Sequence, residues 1–334
     1  MSSIDVIVPC YRYAHFLREC VESVLAQNAD NIRVLIIDDA SPDNTAEVAA
    51  QLMGEDSRVN FIRHTNNKGH IATYNEGIDW ASGEYLLLLS ADDYLLPGAL
   101  NRATCLLDEH TEVGFVFGNV VTLLADQTEV RSDTIFTAFD PRGWRILTGS
   151  EFILLSGCFN RVPTPTAVVR TKLQKRLGGY RPELPHSGDM EMWLRFAANG
   201  NVGVLMAYQA VYRRHCDNMS LGYMAQKSLL DIQQRKLALD YFFECCGHLL
   251  PASRYLRSKL CRSLGFSAFN LASSAFNDSE LIISRQLSDF ALQVCPNIWL
   301  SAEWMKLTFK RQIGPKAWHA LWPLISLIRH SGRP

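Results

Sequence analysis

The run Glu84-Tyr-Leu-Leu-Leu-Leu-Ser-Ala-Asp-Asp93 carries four consecutive leucines, Leu86 to Leu89, and stops on two adjacent carboxylates. An unbroken apolar run of this length reads as a strand buried on both faces of a parallel sheet. In open α/β sheets, ligands gather outside the carboxyl ends of such strands. Asp92 and Asp93 stand at that end, where hard oxygen donors suit Mg²⁺ or Mn²⁺ held by one or two carboxylates together with the phosphates of a ligand. The same acids admit a plainer role, with Asp93 capping the helix-like stretch near Pro97.

Around this run, strand and helix patterns alternate over the first ~120 residues as they do in βαβ units. Ile4 to Pro9 reads as a strand, and Ala14 to Gln27 as a helix with Phe16, Leu17, Val21, Val24 and Leu25 apolar. Ile32 to Ile37 reads as a strand closing on Asp38-Asp39, followed by a helix from Thr45 to Met53 and a strand from Val59 to Arg63. The loop Asn66-Asn67-Lys68-Gly69-His70 then leads into a helix from Ile71 to Ala81. Further β-rich segments are expected at Phe115 to Leu124, Pro163 to Val169 and Val202 to Arg213, with a helix from Met190 to Asn199 between the last two. After about Ser220 the β pattern ends and helical periodicity runs to the end of the chain, with breaks near Gly247, Pro251, Pro296 and Pro315. That change of period sets the expected boundary between residues 1–220 and residues 221–334.

A chain of 334 residues, 48% of them hydrophobic, can bury a large core. Its net charge of -1 argues against a bulk polyanion partner, and no nucleic-acid binding is expected. The balance is uneven, since 14 Lys and Arg stand against 7 Asp and Glu after Leu221. Nine cysteines without CxxC spacing fit reduced, mostly buried thiols better than a disulfide framework or zinc. There is no basic leader before the first strand and no apolar run of the ~18 residues a spanning helix needs, so the expected location is the cytoplasm. On that placement the sequons at Asn218 and Asn277 are chance matches.

Several short segments carry chemistry at the expected sheet edge. Val8-Pro9-Cys10-Tyr11 ends the first strand where the second offers Asp38-Asp39-Ala-Ser-Pro-Asp43. Pro9 stiffens the turn, the Tyr11 ring can stack on a nucleobase, and a carboxylate at the next strand end can accept a base N–H. Asp43 and Asn44 read instead as turn and helix-cap residues. Asn67-Lys68-Gly69-His70 places a lysine and backbone N–H groups at a helix N-terminus, which attracts phosphate, although it lacks the glycines of a dinucleotide or Walker loop. Asn75 lies one turn inside that helix, facing either the same crevice or solvent. In Ser187-Gly188-Asp189-Met190-Glu191-Met192-Trp193-Leu-Arg195, Gly188 permits close approach of a ligand, and Asp189 stands at a helix start as a general base or as a helix-dipole acid. Tyr212-Arg213-Arg214-His215 closes the β-rich part, where His215 can join a metal and either arginine can face a diphosphate.

Taken in order, Val-Pro-Cys-Tyr, Ile-Ile-Asp-Asp-Ala-Ser, Asn-Lys-Gly, Ser-Ala-Asp-Asp with Pro97 shortly after, Gly-Asp-Met-Glu-Met-Trp-Leu-Arg and Tyr-Arg-Arg-His resemble the family 2 glycosyltransferases of the GT-A fold. The resemblance covers about residues 3 to 220. It implies an α/β, Rossmann-like, mostly parallel mixed sheet flanked by helices, followed by a C-terminal all-helical extension. It also implies an inverting enzyme that uses a nucleotide-diphosphate sugar, UDP-linked by expectation, a glycan or glycolipid acceptor, and Mn²⁺ or Mg²⁺ as cofactor. Carried over residue by residue, Pro9, Tyr11 and Asp39 match the nucleobase pocket and Asp93 a neighbour to ribose or metal, while Lys68 and Asn75, read from their own segment, join the expected nucleotide-sugar contacts. Asp92 matches the metal carboxylate, His215 a late contact to metal or diphosphate, and Asp189 the catalytic base. Two positions depart from the pattern. Ser90 stands where the family often has an acid, and Gly188 where many members carry glutamate, which leaves Glu191 as a candidate helper for the acceptor.

Beyond residue 220 the resemblance gives little. Trp304 to Arg311 and Lys316 to Arg329 mix tryptophans, aliphatics and cations in the manner of helices lying in an anionic membrane interface, with Pro323 kinking the second. The competing role is a helical appendage or a dimer contact. Among other function classes, a nucleotidyltransferase would want a glycine-rich triphosphate loop that Pro9-Cys-Tyr-Arg-Tyr-Ala does not supply, and a dinucleotide oxidoreductase would want GxGxxG. A non-catalytic nucleotide-sugar-binding relative is disfavoured by the retained Asp92, Asp93 and Asp189.

Overall fold

Strand β1 (Ile4–Cys10) pairs in parallel with β2 (Ile32–Asp38) on one side and with β4 (Tyr85–Leu88) on the other, and β3 (Val59–Arg63) extends the sheet beyond β2. These details come from a computed structural model that describes residues 2–28, 31–132, 142–216, 218 and 229–318. Side chains alternate across the pleat, so Ile7, Leu35, Ile37 and Leu86 face one core while Val6, Val8, Val34, Ile36 and Leu87 face the other. Both faces are dry, which is why these strands show no polar alternation in sequence.

Helices α1 (Ala14–Leu25), α2 (Thr45–Glu55) and α3 (His70–Trp80) make the crossovers. On α1 the buried residues Leu17, Cys20, Val21 and Val24 recur at helical spacing and form one stripe against the sheet. After β4 come β5 (Tyr94–Leu95), α4 (Ala99–Glu109), β6 (Val113–Leu124), β7 (Glu129–Ser132), β8 (Trp144–Leu147), α5 (Gly149–Ser156), β9 (Val168–Arg170) and α6 (Thr171–Leu177). Then α7 (Gly188–Ala197) leads into the long β10 (Asn201–Arg214). The strand order is β3-β2-β1-β4-β9-β6-β10-β5, with β7 on β6 and β8 on β10. Strand β9 runs antiparallel between β4 and β6, whereas β6 and β10 are parallel. The sheet is therefore mixed, with a parallel block at β3-β2-β1-β4, as the sequence pattern predicts.

One element and the placement of the cysteines differ from the expectation. Pro163 to Val169, expected as one strand, begins with a 3-10 turn at Thr164–Thr166, and only Val168–Arg170 joins the sheet. The two prolines explain this, since neither Pro163 nor Pro165 can donate to a ladder. The cysteines are all free, but only Cys10, Cys20, Cys158 and Cys246 are buried, while Cys105, Cys216 and Cys245 are exposed.

The C-terminal helices α8 (Leu229–Cys246), α9 (Ser253–Asn277), α10 (Leu281–Val294) and α11 (Ala302–Ile313) fulfil the helical expectation for this region. They share one continuous core with the sheet, running from Phe115 and Trp193 to Phe242, Leu260 and Phe276. Helix α7 lies within this core, with Trp193 stacked on Phe115 at 5.2 Å, so nearly all of its side chains are buried. On α11, Lys310 turns inward to Ser273 Oγ (3.2 Å) and Asn277 Oδ1 (2.9 Å), and Arg311 donates to Ser284 and Ser288. Two of the cations read as facing an anionic surface thus hold helices together. Met305 and Phe309 of that helix are exposed. Among the described residues, no helix is long and apolar enough to cross a membrane. The expected boundary at residue 220, the sequon at Asn218-Met-Ser220, and residues 319–329 with Pro323 lie outside the described residues, apart from Asn218 itself.

At the ligand-facing edge, the loops after β1 and β2 are stitched by Asp39 N–H to Cys10 O (3.0 Å) and Arg12 N–H to Ser41 Oγ (3.0 Å). Both loops turn through the left-handed region at non-glycine residues, Arg12 (φ 65) and Ala40 (φ 58). A side chain there costs ~1–2 kcal/mol relative to glycine. Ala40→Gly should therefore raise the free energy of unfolding by about 1 kcal/mol, read as a shift of the urea midpoint at unchanged slope.

Candidate active site

The β4 strand delivers Asp92 and Asp93 to a cleft of about 830 Å³ that Asp189 also lines. Asp92 is 5% exposed and Asp93 2% exposed. Asp93 Oδ1 accepts the backbone N–H of Arg213 on β10 (3.0 Å), which locks the strand end to the sheet's far side. The Arg213 guanidinium donates to Asp92 O (2.7 Å) and pairs with Glu19, held between the rings of Phe16 and Tyr94 at 4.8 and 4.6 Å. It braces the strand end and shares its charge with Glu19.

The Asp92 side chain is aimed differently. Its Oδ2 lies 3.2 Å from His215 Nε2 and 3.2 Å from Asn218 Nδ2, and the His215 ring packs edge-on to Tyr13 at 5.4 Å. Burial pushes the Asp92 carboxyl up, and His215 and Arg213 pull it back. Asp93 is pushed well above the ordinary carboxylate range by burial first and by the neighbouring Asp92 charge second. Among the described residues no group of three or more His, Cys, Asp or Glu could hold a metal ion. A carboxylate oxygen and an imidazole nitrogen converging at this distance nonetheless fit an ion such as Mn²⁺ that completes its shell with ligand oxygens.

Asp189 opens the α7 helix and is only partly accessible, through the cleft. Its Oδ2 accepts the Thr164 hydroxyl at 3.0 Å, and the Tyr180 hydroxyl bonds to it as well. Burial raises its pKa against the lowering pull of those two hydroxyls and of His70 and His186. Tyr74, which hydrogen bonds to Ser90, lies between the two acidic ends, and its hydroxyl is pushed up by burial and by the charges of Asp189 and Asp92. A carboxylate so placed can accept a proton within the cleft.

The residues expected to contact nucleotide are divided. Asp92, Asp93 and Asp189 line the cleft, whereas Pro9, Tyr11, Asp39, Lys68, Asn75 and His215 do not, although His215 touches Asp92. Tyr11 is 42% exposed on the loop after β1. Asp39, buried beside it, accepts at Oδ1 from Lys68 N (2.7 Å), contacts His64 Nδ1 there (2.7 Å), and accepts at Oδ2 from Gly69 N (2.9 Å). It thereby shapes the loop before α3. The Lys68 ammonium pairs with Glu76 at 2.8 Å, and Asn75 commits both ends of its carboxamide to the backbone of Tyr180 (2.9 and 2.7 Å). Asn75 thus positions Tyr180, and a Cβ on Gly179 would sit 2.1 Å from Asn75 Oδ1.

One sequence reading near α7 is corrected. Glu191 does not face an acceptor, because it is fully buried between Arg195 (2.8 Å) and Arg181 (3.3 Å). Gly188 lines the cleft, with the Tyr180 ring 3.2 Å from where its Cβ would be. Sequence reasoning missed Thr164, because its turn was read as strand, and it missed Tyr74 and Tyr180. The adjacent glycines before Tyr180, with Gly178 at φ 83, were the one local sign of a built turn.

Comparison with known proteins bears on the fold and family. Residues 5–161 match the model of the family described as glycosyl transferase family 2. EpsE of Bacillus subtilis (strain 168) is 28% identical over 72% of this chain and 86% of its own length. Matches at 33 to 39% identity span only 29 to 38% of the relatives concerned. Among solved structures, S. aureus TarS residues 1–349 in complex with UDP-GlcNAc superposes with a TM-score of 0.56 at 18% identity, covering 88% of this chain and 91% of that one. A mannosyltransferase from Pyrobaculum calidifontis in complex with GDP-Man and Mn²⁺ gives a TM-score of 0.53 at 17% identity, covering 92% and 83%. At these identities the structures speak for the fold.

The raised Asp189 pKa has a thermodynamic sign. A carboxyl with a folded pKa above its unfolded value contributes stability below the unfolded value and loses it as pH rises through the folded one. Asp189→Asn, neutral at every pH, should therefore melt at or above the wild-type temperature at pH 8, with the advantage shrinking towards pH 4 in thermal melts.

Proposed function

From the match of residues 5–161 to glycosyl transferase family 2, we propose that this chain moves a sugar from a UDP-linked donor to a hydroxyl of a glycan or glycolipid acceptor, with inversion at the anomeric carbon. The observation that carries this reading is the cleft itself, with buried acids at the β4 end and a single hydroxyl-oriented carboxylate, Asp189, in the same lining. In the transfer, the acceptor oxygen bonds to the anomeric carbon as the carbon–oxygen bond to the diphosphate breaks. Asp189 takes the acceptor proton, and the nucleoside diphosphate departs. Thr164 and Tyr180 fix the carboxylate's orientation, and Asn75 fixes Tyr180. Burial that raises the base's pKa towards the working pH strengthens it as a proton acceptor.

The preference for uracil rests on Asp39. A carboxylate offers about four acceptor sites, and three are taken by His64, Lys68 N–H and Gly69 N–H. One site remains, which suits the single ring N–H of uracil better than the adjacent N–H groups of guanine. Tyr11, exposed beside it on a loop begun by Pro9, supplies a face for the base. In this reading Asp92 and His215 would hold Mn²⁺ or Mg²⁺, which neutralises charge on the leaving diphosphate when bound. Asp93 supports the strand end through Arg213, and in this reading Lys68 exchanges Glu76 for a phosphate of the donor.

Asp189→Asn should lower the rate of transfer by at least ~10²-fold, the scale of a lost general base, while leaving UDP affinity within about two-fold by calorimetry. The wild-type rate should fall at low pH along a limb displaced above the ordinary aspartate range, in the direction that burial shifts this group. Turnover near wild type in the Asn variant would remove Asp189 from the role.

A further inference from the structure

The far end of the cleft is built partly by the C-terminal helices, and its charges do not cancel. Helix α8 contributes Asp231 and Arg235, which pair with each other through Nη2–Oδ2 (2.6 Å) and Nε–Oδ1 (3.0 Å), and Asp231 also meets His186 Nε2 at 2.7 Å. Asp231 is thus balanced within the wall. Arg161, on the loop between α5 and β9, lines the same end, and among the described residues no carboxylate lies within ion-pair distance of it. Its guanidinium lies over the Phe159 ring at 4.5 Å, and Arg235 lies 5.1 Å from that ring. The Arg161 Nε is buried and has no hydrogen-bond partner. A buried donor without a partner is costly, and a planar guanidinium preorganised on an aromatic face matches the oxygens of a phosphate or carboxylate.

We propose that Arg161 anchors an anionic group of the acceptor, a phosphate or a sugar carboxylate, so that the enzyme selects negatively charged acceptors over neutral ones. The inference rests on the glycosyl-transfer reading above, since it assigns the end of the cleft away from Asp92 to the acceptor. Asp189 lies within the same cleft, so an acceptor held at Arg161 would present its hydroxyl to the base. Helix α8 gains a role from this arrangement, because Arg235 and Asp231 form the wall against which Phe159 and Arg161 are set.

The test is calorimetric titration of the full chain with glucose 1-phosphate, glucuronate and methyl glucoside, with and without saturating UDP and Mn²⁺. One of the two anionic probes should bind at least tenfold more tightly than methyl glucoside, and which one does so identifies phosphate or carboxylate. Arg161→Gln should abolish that difference and Arg161→Lys should keep part of it, with UDP binding as the control for folding. Equal binding of charged and neutral probes, no detectable binding of either anionic probe, or a preference that survives Arg161→Gln would overturn the proposal. Failure of the wild type to bind UDP would instead count against the donor reading, and the anion preference is still read from the titrations without nucleotide.

Discussion

The clamp between Arg213 and the Asp92-Asp93 turn is the interaction on which the rest of the site depends. Two carboxylates side by side inside protein repel each other and lose hydration, and both effects push their protons on. Here the Arg213 backbone N–H takes Asp93, and its guanidinium takes the Asp92 carbonyl. The end of β10 is thereby tied to the end of β4 across the strands between them, and His215, two residues further along, is brought to Asp92. Removal of the clamp would free the strand end and separate Asp92 from His215.

Two regions with different chemistry flank that junction. Outside the cleft, the loops after β1 and β2 are strained at Arg12 and Ala40 and stitched to each other, a rigid frame around Asp39 and Tyr11. Strain of this kind persists only where the surrounding structure determines it, and such residues cluster at ligand-binding sites. Towards α7 the cleft meets Asp189, whose two hydroxyl partners come from the turn at Thr164–Thr166 and from Tyr180. The proline-bearing turn that interrupts the sheet before β9 is what presents Thr164 to the base. The helical C-terminal part is joined to this machinery through a common core and through Asp231 and Arg235 in the cleft wall.

Much of this was legible in the chain itself. The leucine run before Asp92 and the alternation of periods over the first third place β1 to β4 and their helices within a residue or two, because those elements are buried on simple patterns. The carboxylates at strand ends were legible for the same reason. Partnership was not. Asn75 reads as a crevice residue until Tyr180, more than a hundred positions away, takes both ends of its amide. Glu191 reads as an active-site acid until Arg181 and Arg195 enclose it, and Lys310 reads as a surface cation until Ser273 and Asn277 meet it. The Asn75 and Lys310 outcomes are decided by packing between distant segments, which local periodicity does not encode, and that of Glu191 by the burial of its whole helix.

The most direct test of the central claim is a crystal of the full chain grown with UDP and Mn²⁺ and measured at a wavelength where manganese scatters anomalously. A single strong peak in contact with Asp92 Oδ2 and His215 Nε2, touching the UDP diphosphate with the base beside Tyr11 and Asp39, is the predicted result. UDP bound away from the strand ends, or manganese bound without contact to Asp92, would contradict it.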